Sequence, residues 1–219
     1  MRKVFQAELH QVGEQLIEIS RLVAEAMEKA NESFVNADIE LAQEVIAADA
    51  RIDFLQNDLD ERAIEILALQ GPVASDLRMI VGALRMSASL ERMGDLARHV
   101  AQLARMRYPA NVSPESLRPT FAELAENDIA IARKLTELLD TRNLELARDI
   151  NRHNDRINEL HAGIFKAIAA PDFAETAPTA VDVSLASRYF ERFADHGVSV
   201  ARKVTYLVTG EWAPNGASH

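Results

Sequence analysis

The chain reads as all-α, two tandem three-helix bundles with six long helices. Prolines cut it into long helix-forming stretches, apolar residues recur at helical spacing, and the second half echoes the first. The 7 prolines fall at 72, 109, 114, 119, 171, 178 and 214, and each removes a helical N–H donor and clashes with the preceding turn. Between them the sequence is rich in Ala, Leu, Glu and Arg with few β-branched runs. No strand or hairpin pattern competes.

The first helix is predicted over Val4–Phe34, where Val12, Leu16, Ile19, Val23, Ala26 and Ala30 repeat every three or four residues. Asn36-Ala37-Asp38 supplies a turn and a cap, and a second helix follows from Asp38 to Leu69. Gly71-Pro72 breaks it, and Pro72 suits the first turn of a third helix reaching Met106. Residues 108–119 (YPANVSPESLRP) form the one long proline-rich connection. Three further helices are expected over Phe121–Asp140, Leu144–Ala169 and Thr179–Thr209. The units are therefore residues 1–108 and 115–210, with 211–219 a frayed tail carrying Trp212.

The repeat is carried by particular residues. Glu91-Arg92-Met93-Gly94-Asp95 in the third helix returns as Glu191-Arg192-Phe193-Ala194-Asp195 in the sixth, with Val81, Ser87 and Ala101 matched by Val181, Ser187 and Ala201. Arg51-Ile52-Asp53-x-Leu55 in the second helix is matched by Arg156-Ile157-Asn158-x-Leu160 in the fifth. The offset is 100 residues for the later pair and 105 for the earlier, so an insertion or deletion separates them.

Composition removes several classes of function. There are no cysteines, which excludes disulfides, thiolate zinc sites, iron–sulfur clusters and a cysteine nucleophile. The 24 basic and 34 acidic residues leave a net charge of −10, and neither half is basic; nucleic-acid binding is not expected. The N-terminal MRKVFQAELHQVGEQLIEIS has no apolar h-region, and no run approaches the ~18 apolar residues of a membrane span. A soluble cytoplasmic protein without membrane insertion is expected.

The repeated acidic motif carries what chemistry there is. Carboxylates four apart on a helix stand one turn above each other and repel, and a shared cation relieves this. The third helix has its stripe at Met79, Ala83, Met86, Leu90, Met93, Ala97, Val100 and Ala104, which places Glu91 and Asp95 roughly 160° either side of Met93. The sixth helix, with Val183, Ala186, Phe190, Phe193, Gly197, Val200 and Val204, treats Glu191 and Asp195 alike. Both pairs are expected to face solvent. Asp49 and Asp53 flank the stripe of the second helix (Val45, Ala48, Ile52, Leu55, Leu59). If the second and third helices lie antiparallel, four carboxylates converge. Their oxygens suit Mg, Mn, Ca or ferric iron better than zinc. The second half has Asn154 and Asn158 instead, a weaker set. An isolated Glu-x-x-x-Asp is usually a solvated face, and Arg92 and Arg192 serve equally well as salt-bridge partners in the bundle.

Other candidates fare worse. The Glu-x-x-His di-iron pattern is absent, since positions 94 and 194 are Gly and Ala. No phosphate loop, Gly-x-Ser-x-Gly or HExxH is present. Met79, Met86 and Met93 fall on the apolar stripe and are assigned to the core. No catalytic residue is expected.

With these residues in view, LALQGPVASDLRMIVGALRMSASLERMGDLARHV and SRYFERFADHGVSVARKV resemble the PhoU family, with the flavour of its actinobacterial branch. The resemblance runs from about residue 3 to 209. It implies a non-enzymatic negative regulator of the phosphate-starvation response, active when phosphate is plentiful. Such a protein links the ATPase subunit of the phosphate ABC transporter to a membrane sensor histidine kinase, so that the response regulator stays unphosphorylated. It also implies a homodimer, peripheral to the membrane through its partners. Metal cofactors are implied at the paired motifs, as iron clusters or as Mg, Mn or Zn. Carried over, the ligands are Asp49, Asp53, Glu91 and Asp95 in one half, and Glu191 and Asp195 opposite Asn154 and Asn158 in the other. Two other readings stay open from the residues: a metal-dependent phosphohydrolase using the same carboxylates, and a metal-free helical scaffold.

Overall fold

A computed structural model describes residues 2–211, with side chains from Phe5 onward. The predicted frayed tail, Trp212 included, lies almost wholly outside the described residues. Six helices account for the fold: α1 (Arg2–Asn36), α2 (Ile39–Gln70), α3 (Ala74–Arg107), α4 (Arg118–Thr141), α5 (Leu144–Ile168) and α6 (Ala177–Thr209). A single 3-10 turn at Glu115–Leu117 leads into α4.

The helix ends follow from short-range chemistry. Asp38 caps α2 by accepting from the Leu41 N–H at 3.0 Å, and Gly71 closes it in the left-handed region at φ 53°. Asn143 caps α5 and Thr176 caps α6. Two helices begin earlier than expected, α4 at Arg118 and α6 at Ala177, because Pro119 and Pro178 sit in their first turns. A proline there gives up a donor that has no intrahelical acceptor, so it opens a helix instead of ending a loop. Pro72 does the reverse: α3 starts after it, with Val73 as the flanking residue.

Each repeat is an antiparallel three-helix bundle, α1–α2–α3 and α4–α5–α6, as the short connections require. The seam between them is made by equivalent helices. α1 packs on α4 and α3 packs on α6. Both pairs run antiparallel. Glu28 and Ser20 of α1 meet Arg133 and Thr136 of α4 at 2.7 and 2.8 Å. Along α3, Gly82 lies against Leu207, His99 against Tyr189, and Arg107 donates to Asp182 at 2.9 Å.

The apolar core continues across this seam. Phe34 of α1, Phe121 of α4 and Phe190 of α6 form an aromatic trio with ring centroids 5.3, 5.9 and 6.1 Å apart, all at most 2% exposed. Between α1, α3, α4 and α6 lies a cavity of about 490 Å³, lined by Val12, Leu16, Met79, Met86 and Val204 with Arg78 and Arg142. Met79, expected in the core, lines this cavity and is only partly buried.

Helix α6 crosses α4 closely at Gly197, where a Cβ would stand 2.6 Å from Ile131 Cγ2 and 3.4 Å from Leu135 Cδ1. Gly163 has nothing within 4 Å of its would-be Cβ. The same substitution therefore has opposite signs at the two sites. Gly197→Ala is expected to lose about 1–2 kcal/mol net, overpacking outweighing helix propensity, while Gly163→Ala gains about 0.5–1 kcal/mol. Thermal unfolding of the two single variants checks this, and two shifts of the same sign would refute the close crossing.

Candidate functional site: two acidic helix faces

Helices α2 and α3 are antiparallel neighbours, so the expected approach of Asp49, Asp53, Glu91 and Asp95 does occur, and the groups interact electrostatically. Their setting differs from the expectation of a solvated face. The side chains of Asp49 and Asp95 are only 10% and 16% exposed and that of Glu91 is 23% exposed; Asp53 alone is open. The helical wheel measured angles from the stripe of α3 alone, whereas α2 covers that flank. In α2 itself Ala48 is exposed and Asp49 is turned inward. Gly94 permits this approach: a Cβ there would lie 2.9 Å from Ile52 Cδ1 and 3.4 Å from Asp49 Oδ1.

The cluster is organised by an arginine that motif spacing does not single out. Arg98 places Nε 2.6 Å from Asp49 Oδ2 on α2 and donates from its terminal nitrogen to Asp95 Oδ1 at 2.5 Å on α3. Arg92 donates to the other Asp95 oxygen at 2.8 Å and lies 3.6 Å from Glu91. Burial pushes the Asp95 carboxyl up, but the hydrogen bonds and charge of Arg98 and Arg92 outweigh it and hold the group below the usual range. Asp49 is pushed up by burial, with Asp53 and Asp95 adding to that against Arg98. Glu91 is likewise raised by burial and by Asp95.

The second face is built differently. Glu191 is buried, not solvated as expected, and is pushed up by burial and by Asp195; Arg188 donates to both of its oxygens at 2.8 and 2.7 Å. Asp195 and Asn158 are exposed, and Asn154 is partly buried with its side-chain oxygen unpartnered among the described residues. Within electrostatic reach of Glu191 is Asp128 of α4, fully buried, with neither carboxylate oxygen hydrogen-bonded among the described residues. Burial, reinforced by Glu191, lifts its carboxyl well above the usual range.

Asp128 was not anticipated. Its signal lies in the stripe Phe121, Leu124, Asp128, Ile131, Leu135, which a carboxylate interrupts. The repeat hides it: at the 105-residue offset its counterpart is the buried Val23.

The oxygen-rich donor set has the chemistry for hard cations, but the geometry is not that of a metal cage. Among the described residues no three carboxylate or imidazole side chains stand grouped to hold one ion. Arg98 lies between two of the four carboxylates of the first face, and Arg188 covers one carboxylate of the second.

Ser187 Oγ lies 2.6 Å from His161 Nδ1, but Ser187 is fully buried. The matched Ser87 donates to Asp60 at 3.1 Å. Both serines tie the third helix of a repeat to its second, a structural duty.

The fold and site define a class: a tandem repeat of three-helix bundles with an acidic pair of matched motifs on α3 and α6. Comparison with known proteins sharpens this. The PhoU domain matches residues 16–104 and again 121–204. The phosphate-specific transport system accessory protein PhoU homolog 2 of Mycobacterium tuberculosis is 39% identical over 210 residues, covering 96% of this chain and 99% of that protein. PhoU homolog 1 of Mycobacterium leprae is 39% identical over 212 residues, covering 97% and 96%. The crystal structure of PhoU from Pseudomonas aeruginosa superposes with a TM-score of 0.88 at 26% identity, over 94% of this chain and 100% of that one. The chain belongs to the PhoU family.

Proposed function

We propose that this protein is a negative regulator of the phosphate-starvation response. It acts as a non-enzymatic adaptor between the ATPase subunit of a phosphate ABC transporter and a sensor histidine kinase. The observation that carries this is full-length similarity, 39% identity over 96% of the chain, to a protein named as an accessory of phosphate-specific transport. The architecture supports it. Long helices present extended surfaces for docking, and the serine of the serine–imidazole contact seen among the described residues is buried. No helix among the described residues is long and apolar enough to cross a membrane, which fits attachment through partners; a homodimer is part of the same proposal. Any divalent cation taken up by the first acidic face would have to displace Arg98.

Deletion of the gene, in a strain lacking further copies, tests the reading. Phosphatase reporter activity in high phosphate is expected to rise to its starved level and to return on complementation. Repression that persists in the deletion overturns the regulatory assignment.

A further inference from the structure

The two acidic faces differ in one way that the repeated motif conceals. Arg98 has no counterpart, because the 100-residue offset places the buried Val198 there. The same comparison replaces Asp49 and Asp53 by Asn154 and Asn158. The repeat with four carboxylates therefore carries a guanidinium between its second and third helices, and the repeat with two has none at the matching position.

Physical chemistry links these differences. Asp49 and Asp95 come from different helices, both largely buried, and would repel across the α2–α3 gap without a cation between them. Arg98 supplies one. Its planar fork reaches Asp49 Oδ2 at 2.6 Å and Asp95 Oδ1 at 2.5 Å, bracketing the two helices. A metal ion bridging the two helices would need those same oxygens, and a divalent ion with several oxygen ligands cannot share them with a guanidinium. A lysine could match the charge but not the two-pronged contact.

We propose that Arg98 is the resident cation of the first acidic face, joining Asp49 and Asp95 as a bridging metal would and excluding divalent metal from that face. The Asp49–Asp95 contact is then bridged without a metal, and Arg98 sets the selectivity of the face. This rests on side-chain geometry and not on the regulatory reading, so a binding experiment and the reporter experiment fail independently.

Full-length protein, stripped with chelator, is titrated with Mn²⁺ and free Mn²⁺ is followed by electron paramagnetic resonance, with thermal unfolding in parallel. Wild type is expected to bind Mn²⁺ weakly, with affinity unchanged by Asp49→Asn. Arg98→Gln is expected to bind at least tenfold tighter, and Arg98→Gln combined with Asp49→Asn to lose that gain. Arg98→Lys should fall between wild type and Arg98→Gln. If Arg98→Gln is poorly folded without metal, Mn²⁺ should raise its melting temperature while leaving that of the wild type unchanged. Tight Mn²⁺ binding by wild type that Asp49→Asn abolishes overturns the proposal. So does the absence of any Mn²⁺-dependent gain, in affinity or melting temperature, in both Arg98 variants.

Discussion

Phe190→Ala is expected to lower the free energy of unfolding by about 3–5 kcal/mol. Phe190 is fully buried and touches Phe34 and Phe121, so removing its ring opens a cavity where three helices from both repeats meet. The expected fall in melting temperature is about 2–4 °C per kcal/mol for a chain of this size. Phe54→Ala, at a ring 59% exposed, should stay within about 0.5 kcal/mol and serves as the control. Pairing Phe190→Ala with Phe121→Ala should show a coupling of about 0.5–1.5 kcal/mol. A cost below about 1 kcal/mol for Phe190→Ala would mean that the seam is not a tightly packed core.

Asp128→Asn is expected to stabilise the protein, by about 2 kcal/mol at neutral pH and by little at pH 4. Burial and Glu191 raise the folded-state pKa of Asp128 above its unfolded value of about 3.9. Between those two values the folded state holds more protons than the unfolded one. The contribution of Asp128 to stability is therefore full at low pH and is lost as pH rises through its folded pKa. Asparagine keeps the shape and cannot ionise. The stability difference between variant and wild type should thus grow as pH rises above 4 and level off, which urea unfolding at a series of pH values measures. Parallel pH profiles for the two proteins would show that Asp128 is not held protonated.

Much of this was legible from residue spacing. The six helices and their duplication follow from proline positions, from stripes such as Val183–Phe190–Gly197–Val204, and from the echo of Glu91–Asp95 in Glu191–Asp195. The starts at Pro119 and Pro178 are misread because those prolines are assigned to the connections, while Pro72, assigned to a first turn, lies outside its helix. The exposure of the acidic faces was misjudged because a wheel drawn on one helix does not include the neighbour on its flank. Arg98 is visible as a residue three places after Asp95, but its hold on Asp49 belongs to the pairing of α2 with α3 and not to any local pattern. Asp128 needed the opposite comparison, attention to where the two repeats disagree.

The seam sets two helices of each repeat against their own counterparts, α1 on α4 and α3 on α6. That is the arrangement of a two-fold dimer whose subunits have been fused. In a true homodimer every substitution appears twice, and a new carboxylate in one subunit is reproduced in the other whether or not its surroundings suit it. Fusion ends that obligation. One half can keep four carboxylates, two of them bridged by an arginine, while the other substitutes two asparagines and sinks an aspartate into its core. The molecule thereby carries two dissimilar acidic faces on one symmetric frame, a difference that identical subunits cannot hold.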